Sequence, residues 1–168
     1  RDVEFAIRDM VIRGAPAIGA AAAYGFYLAA LELSRKSSTE NFFGDLQSAA
    51  DFLEKARPTA VNLHWALKRM MRTAELQAEN RALDAALPSS MDSLLETLLK
   101  EADSIRIEDI ETNKKIGKIG AEVIQTGATV LTHCNTGALA TAGWGTALGV
   151  IKEAHYSCKH IFVYADET

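Results

Sequence analysis

Apolar side chains recur every three to four residues through the first three quarters of the chain, which is the period of α-helices with one buried face. The pattern predicts helices over residues 5–12, 17–33, 42–53, 58–71 and 94–124. Residues 17–33 are alanine-rich on all sides, so we expect this helix to be buried. Polar stretches at 34–40 and 84–90 are typical of a connector and a turn between the helical runs.

The pattern changes after residue 125. Residues 128–132 (Ala-Thr-Val-Leu-Thr) and 161–165 (Ile-Phe-Val-Tyr-Ala) are short, uncharged and rich in β-branched or aromatic residues, as buried parallel strands are. Residues 138–154 between them predict a small-residue helix. The fold class is therefore α/β: an all-helical domain over 1–125, then the first βαβ unit of a Rossmann-like parallel sheet over 126–168. Two strands cannot complete such a sheet, so the chain looks truncated.

Charge and composition narrow the function classes. A net charge of −4 and a pI of about 5.6 argue against a nucleic-acid surface, which needs a basic face. The uncharged stretches 14–31 and 125–151 contain Pro, Thr, His and Asn, so we interpret them as buried segments of a soluble protein rather than membrane spans. Two cysteines and no apolar signal core indicate the cytosol, with a nuclear fraction as an open alternative. The charged run 108–118 is interpreted as a solvated face.

Two arginines stand directly before predicted helix starts. Arg13 and Gly14 precede Ala15 and a proline, which favours the first helical position because its missing N–H would be unpaired there. Free N–H groups and the dipole at a helix start attract anions, and glycine lets the backbone approach closely. Arg57 repeats the arrangement ahead of a second proline. Both arginines could bind one phosphate, or a phosphate and a sugar hydroxyl; the alternative is that each is an ordinary surface residue.

Cys134 is the third candidate. It lies at the C-terminal end of a predicted strand, just ahead of a predicted helix, where open α/β sheets bind their ligands. A helix N-terminus favours the thiolate, and such a thiol can act as proton donor, base or nucleophile. Asn135 and Thr136 are natural caps, and Gly137 permits close backbone approach. The alternative is a structural cysteine that behaves as a small buried hydrophobe.

Other polar residues are weaker candidates. His133 alternates with Cys134 along an extended strand, so it could line the floor of the site, but we expect its side chain to pack. His64 is expected to be an interior or rim histidine. His155 and His160 flank Cys158, but no second Cys/His pair follows at the spacing of a zinc site, so we do not expect a metal there. Gly-Trp-Gly at 143–145 is placed within the crossover helix and is rejected as a dinucleotide fingerprint. Asp166 ends the second strand on the same sheet edge as Cys134 and is a candidate ligand contact.

Four segments resemble the methylthioribose-1-phosphate isomerase family. They are residues 6–19 (AIRDMVIRGAPAIG), 57–63 (RPTAVNL), 132–141 (THCNTGALAT) and 164–168 (YADET). Relatives of that family include archaeal ribose-1,5-bisphosphate isomerases and regulatory subunits of a eukaryotic translation initiation factor's nucleotide-exchange complex. The middle helices carry little of the resemblance.

The resemblance implies an aldose–ketose isomerase that converts 5-methylthioribose 1-phosphate to 5-methylthioribulose 1-phosphate in methionine salvage. The 1-phosphate blocks ordinary ring opening, so such an enzyme assists opening and then moves hydrogen between C1 and C2. Carried over by motif, Arg13, Gly14, Ala15 and Arg57 would hold the phosphate and sugar, and Cys134 would be one of two acid/base groups. The resemblance also implies a homodimer that binds a small sugar phosphate. The sequence indicates no cofactor, metal, nucleic-acid or membrane partner.

The family pattern extends beyond these residues. Its second catalytic group, an aspartate followed by an Asn-Lys pair, falls after residue 168, and its opening small sheet falls before residue 1. We therefore expect residues 1–168 alone to be inactive. Two alternatives stay open: a non-catalytic regulatory or scaffold member of the superfamily, and a ribose-1,5-bisphosphate isomerase, whose pocket would need an additional cation for the second phosphate.

Overall fold

A computed structural model of the chain describes residues 1–35, 41–83 and 90–166. In these ranges the elements are α1 (Asp2–Arg8), α2 (Ala15–Ser34), α3 (Phe42–Glu54), α4 (Val61–Leu83), α5 (Met91–Val123), β1 (Thr129–Thr132), a 3₁₀ turn (Ala138–Ala140), α6 (Ala147–Tyr156) and β2 (Phe162–Ala165). The prediction of a helical N-terminal region followed by the start of an α/β domain is confirmed. Most of the predicted connector and of the predicted turn lies outside the described residues.

Two compact units, residues 1–105 and 106–168, make up the chain. The division falls inside α5, a continuous helix of 33 residues. The apolar positions of the sequence predicted this helix over residues 94–124. The domain boundary predicted after residue 125 falls just past the end of α5 rather than inside the helix, and it stays a prediction.

The first unit is a bundle around α2. This helix is apolar nearly all round because it packs against α1, α3 and α4. Its small residues allow close approach: a Cβ on Gly19 would lie 3.0 Å from the main-chain oxygen of Asn62. Phe26 and Leu63 are fully buried in this core.

The α2 helix also has the length and hydropathy of a membrane span, the one such helix among the described residues. Its contacts, however, are those of a core helix. Ala22, Ala23, Phe26 and Ala30 have no solvent-exposed surface in the bundle. The packing of α2 therefore agrees with the interpretation of residues 14–31 as a buried segment rather than a membrane span.

The second unit contains a βαβ module with parallel strands. The register pairs Thr129 with Phe162 and Thr132 with Ala165. The crossover helix α6 packs on the last turns of α5, where Gly120 leaves room for the Val150 side chain. The strands are less buried than predicted, since Phe162 is 71% exposed. A parallel sheet needs cover on both faces, and two strands with one crossover helix do not supply it.

The segment between β1 and α6 departs most from the sequence prediction of one helix over 138–154. Only a 3₁₀ turn forms first, and α6 begins at Ala147. The Thr141 hydroxyl accepts hydrogen bonds from the N–H groups of Gly143 (3.2 Å) and Gly145 (3.0 Å), which offers the main chain an alternative to helix. Gly145 has a φ of 96°, outside the helical region. Residues 143–145 thus lie in the loop between strand and helix, not within the helix. Their predicted place within the crossover helix, which was the reason for rejecting them as a dinucleotide fingerprint, was therefore wrong.

Candidate functional site

The start of α2 has the geometry expected of an anion-binding helix terminus. Gly14 caps the helix with φ 96° and ψ 134°, a conformation that glycine adopts without strain, and its carbonyl accepts the N–H of Ile18 at 2.9 Å. The helix begins at Ala15, so the proline that was predicted to occupy the first helical position is the second residue. Arg13 is exposed beside this terminus.

Arg57 does not stand directly before a helix, contrary to the prediction. Residues 57–60 form a turn in which the N–H of Ala60 donates to the Arg57 carbonyl at 2.9 Å. Ala60 then accepts the N–H of Leu63 at 3.0 Å, and α4 begins at Val61. Proline suits the second position of such a turn as well as it suits a helix start, so the sequence could not separate the two.

The two helix starts meet in the first unit. Gly19, four residues or about 6 Å into α2, contacts Asn62, the second residue of α4. The preceding arginines, Arg13 and Arg57, therefore belong to one end of the helix pair. Among the described residues, neither guanidinium group has a hydrogen bond or an ion pair. We name Arg13, Gly14, Ala15 and Arg57 the arginine corner.

The second cluster is the turn that follows β1. Cys134 is exposed and has a φ of 66°, the left-handed conformation that few residues other than glycine adopt. The Asn135 side-chain oxygen accepts the N–H of Gly137 at 3.4 Å. Cys134 is thus accessible at the C-terminal end of a parallel strand, as predicted. It does not immediately precede a helix, because α6 starts 13 residues later.

His133 is part of this cluster, although the sequence predicted that it would pack. Its side chain is 78% exposed, and its Nδ1 pairs with the carboxylate of Asp166, the residue after β2. The strand ends at Thr132, so the alternation on which the prediction rested does not reach His133. The hydrogen bond with His133 holds the pKa of Asp166 below its ordinary value, and the N–H of Cys134 contributes in the same direction. We name His133, Cys134 and Asp166 the cysteine turn.

Residues of α5 support the loop behind the cysteine turn. Asp109 accepts the N–H of Ala142 at 2.7 Å and the side-chain amide of Asn113 at 3.0 Å. Asn113 is 3% exposed. The expectation that residues 108–118 form only a solvated face is therefore wrong for these two residues. Their i, i+4 spacing places them on one helix face, which was the one available signal.

Other histidines and cysteines do not add a site. His64 is exposed and pairs with Glu54 beside a groove of about 430 Å³ along α3 and α4. Within residues 1–35, 41–83 and 90–166, no three His, Cys, Asp or Glu side chains converge as metal ligands do.

Comparison with known proteins places the chain in a family. The Initiation factor 2 subunit family matches residues 11–168. The chain therefore belongs to that family. Curated relatives named methylthioribose-1-phosphate isomerase align with the whole chain: 59% identity in Thermoanaerobacter sp. (strain X514), 57% in Caldanaerobacter subterraneus subsp. tengcongensis and 52% in Geobacter sulfurreducens. The chain spans 46% of the length of each.

Two solved structures share the fold. One, from A. fulgidus, is described as translation initiation factor eIF-2B, subunit delta; it has a TM-score of 0.82 and 41% identity over 99% of this chain and 46% of its own. The other is the 5-methylthioribose 1-phosphate isomerase from Pyrococcus horikoshii OT3, with a TM-score of 0.82 and 33% identity over 98% of this chain and 51% of its own. The resemblance drawn from the sequence motifs is confirmed.

Proposed function

We propose that the chain is the helical domain and first βαβ unit of an enzyme that isomerises 5-methylthioribose 1-phosphate to 5-methylthioribulose 1-phosphate in methionine salvage. The observation that carries the proposal is 57–59% identity along the whole chain to proteins named for that activity. The described residues include the arginine corner and the cysteine turn, which supply functional groups suited to a phosphorylated sugar.

The arginine corner is proposed to hold the substrate. A phosphate at the start of α2 would meet the unpaired main-chain N–H groups of the first turn and the positive end of the helix dipole. Gly14 has no side chain to obstruct it. Arg13 and Arg57 would neutralise the phosphate or donate to a sugar hydroxyl, and neither has a competing carboxylate partner among the described residues.

Cys134 is proposed as one of two acid/base groups. Aldose–ketose isomerisation requires ring opening, and then transfer of the C2 hydrogen to C1 with proton transfer at the sugar oxygens. A thiol can exchange a proton with these atoms if it is accessible, and Cys134 is exposed on a turn at the sheet edge where parallel α/β folds bind ligands. The second group is expected after residue 168, so residues 1–168 alone are proposed to be inactive.

Two alternatives have some support. The 41% identity to the A. fulgidus protein favours a regulatory or scaffold subunit, which would bind a ligand without chemistry. A ribose-1,5-bisphosphate isomerase would share the arginine corner and need one more cation. The isomerase of the thio-sugar is preferred because higher identity falls on proteins of that name.

The test is an assay of the full-length protein with methylthioribose 1-phosphate and ribose 1,5-bisphosphate, alongside Cys134→Ser and Cys134→Ala. We expect turnover of the thio-sugar and a loss of roughly 100- to 10,000-fold in kcat for each variant, the contribution of a general acid/base. Rates within a few-fold of the parent would make Cys134 structural. No turnover of either sugar by a folded protein would favour the regulatory alternative.

We further propose a cytoplasmic homodimer, with a nuclear fraction as the alternative. Light scattering of the purified full-length protein tests the dimer, and a monomer at micromolar concentration would contradict it.

A further inference from the structure

The main chain at Cys134 is in an unfavourable conformation. A left-handed non-glycine residue costs on the order of 1–3 kcal/mol and persists only where its surroundings impose it. The φ of 66° therefore needs a physical cause in the neighbouring contacts.

Asp166 constrains the N-terminal side of the turn. Its N–H donates to the Thr132 carbonyl at 3.4 Å, which extends the β1–β2 ladder by one step. Its carboxylate pairs with the imidazole of His133, the residue before Cys134. Asp166, the residue after β2, thus contacts the last residue of β1 through its main chain and His133 through its side chain.

Thr136 constrains the other side. Its hydroxyl lies 3.2 Å from the hydroxyl of Thr132, and its carbonyl accepts the N–H of Thr146, the cap of α6, at 2.9 Å. The turn is therefore fixed at residues 132, 133 and 136, and Cys134 lies between these fixed points.

We propose that Asp166 and His133 are positioning residues: the pair between the Asp166 carboxylate and the His133 imidazole fixes the residue before Cys134, and so holds the Cys134 main chain left-handed and sets the direction of the thiol. An ordinary surface ion pair would contribute little, since exposed pairs are typically worth 0–1 kcal/mol. The contribution here is geometric, because displacement of a reacting group by about 1 Å can cost roughly 100-fold in rate. The catalytic part of this inference rests on the proposed role of Cys134; the structural part does not.

The structural part is tested by hydrogen–deuterium exchange of the full-length protein, followed by mass spectrometry of the peptide that contains Cys134. We expect Asp166→Ala and His133→Ala each to raise exchange at the turn several-fold, because each removes the pair, and Asp166→Asn, which keeps an acceptor oxygen, to stay nearest the parent. His64→Gln removes the other histidine–carboxylate pair, with Glu54, and is the matched control; it should leave the turn unchanged.

The catalytic part is tested by steady-state kinetics of the same variants. Asp166→Ala should lower kcat by about 10- to 100-fold with KM within two-fold, and Asp166→Asn should recover part of kcat. A loss carried mainly by KM would make Asp166 a substrate ligand and overturn the positioning role. Unchanged exchange together with kcat within two-fold would overturn the proposal entirely.

The two failures are distinguishable. Full activity of Cys134→Ser would remove the proposed function, whereas the exchange data would still decide whether Asp166 holds the turn. If Asp166→Ala loses its helical circular dichroism, His133→Ala decides instead: parent-like exchange in that folded variant contradicts the proposal.

Discussion

The two units of this chain are stabilised in different ways. In residues 1–105, large side chains such as Phe26 and Leu63 are fully buried among helices. In residues 106–166, the buried positions are small or polar, including Asn113 and Thr141, and large strand residues such as Phe162 are exposed. The first unit depends on apolar packing, and the second depends on hydrogen bonds that shape a loop. The exposed thiol of Cys134 therefore lies on the unit with the smaller apolar core.

The largest effect is expected from a cavity in the first unit. Phe26→Ala should destabilise residues 1–168 by about 3–5 kcal/mol, because it removes a fully buried ring from a packed core. Phe162→Ala, at 71% exposure, is the matched control and should change stability far less. Urea unfolding monitored by circular dichroism measures both. Equal losses would contradict the contrast between the two units.

A smaller effect is expected in the loop of the second unit. Thr141→Val keeps the side-chain volume but removes the acceptor for two main-chain N–H groups, and Thr141 is 6% exposed. We expect a cost of about 1–3 kcal/mol. Thr126→Val, at an exposed position in the same unit, should be neutral. Exchange protection across residues 141–146 reports the local change, and protection like that of the parent would show that the hydroxyl is dispensable.

The smallest effect concerns the titration of Asp166. Because hydrogen bonding with His133 lowers its folded pKa, this carboxylate contributes stability above its unfolded pKa. That contribution is lost as the pH falls through the folded pKa. Carboxyl carbon NMR should give Asp166 a midpoint below the ordinary value of about 3.9, and His133→Ala should raise the midpoint. A midpoint that does not move would show that the pair does not form in solution.

Sequence periodicity predicted the helical region well because a helix face repeats over many residues. Each run of apolar positions gave a helix whose bounds differ from the prediction by about four residues or fewer, except that α4 continues to Leu83, well past residue 71. Boundaries were less certain where proline allows two structures. Pro58 is the second residue of a turn, while Pro16 lies in the first turn of a helix, although both follow an arginine closely.

The cysteine turn was predicted only in part. The strand end identified Cys134, since β-branched residues stop there and glycine follows. The pairing of His133 with Asp166 could not be predicted, because it joins residues 33 positions apart through the parallel register. The loop over 141–146 was missed because its small residues are equally common in packed helices, and only the hydrogen bonds of Thr141 distinguish the two.

Local periodicity and short motifs in the sequence were enough to predict the helical and βαβ regions, the family, and which residues carry reactive groups. Only the tertiary structure shows that the starts of α2 and α4 meet at Gly19 and Asn62, and that Asp166 pairs with His133 beside Cys134. Such contacts depend on how helices cross and on strand register. They join residues far apart in the chain and produce no periodic pattern in the sequence.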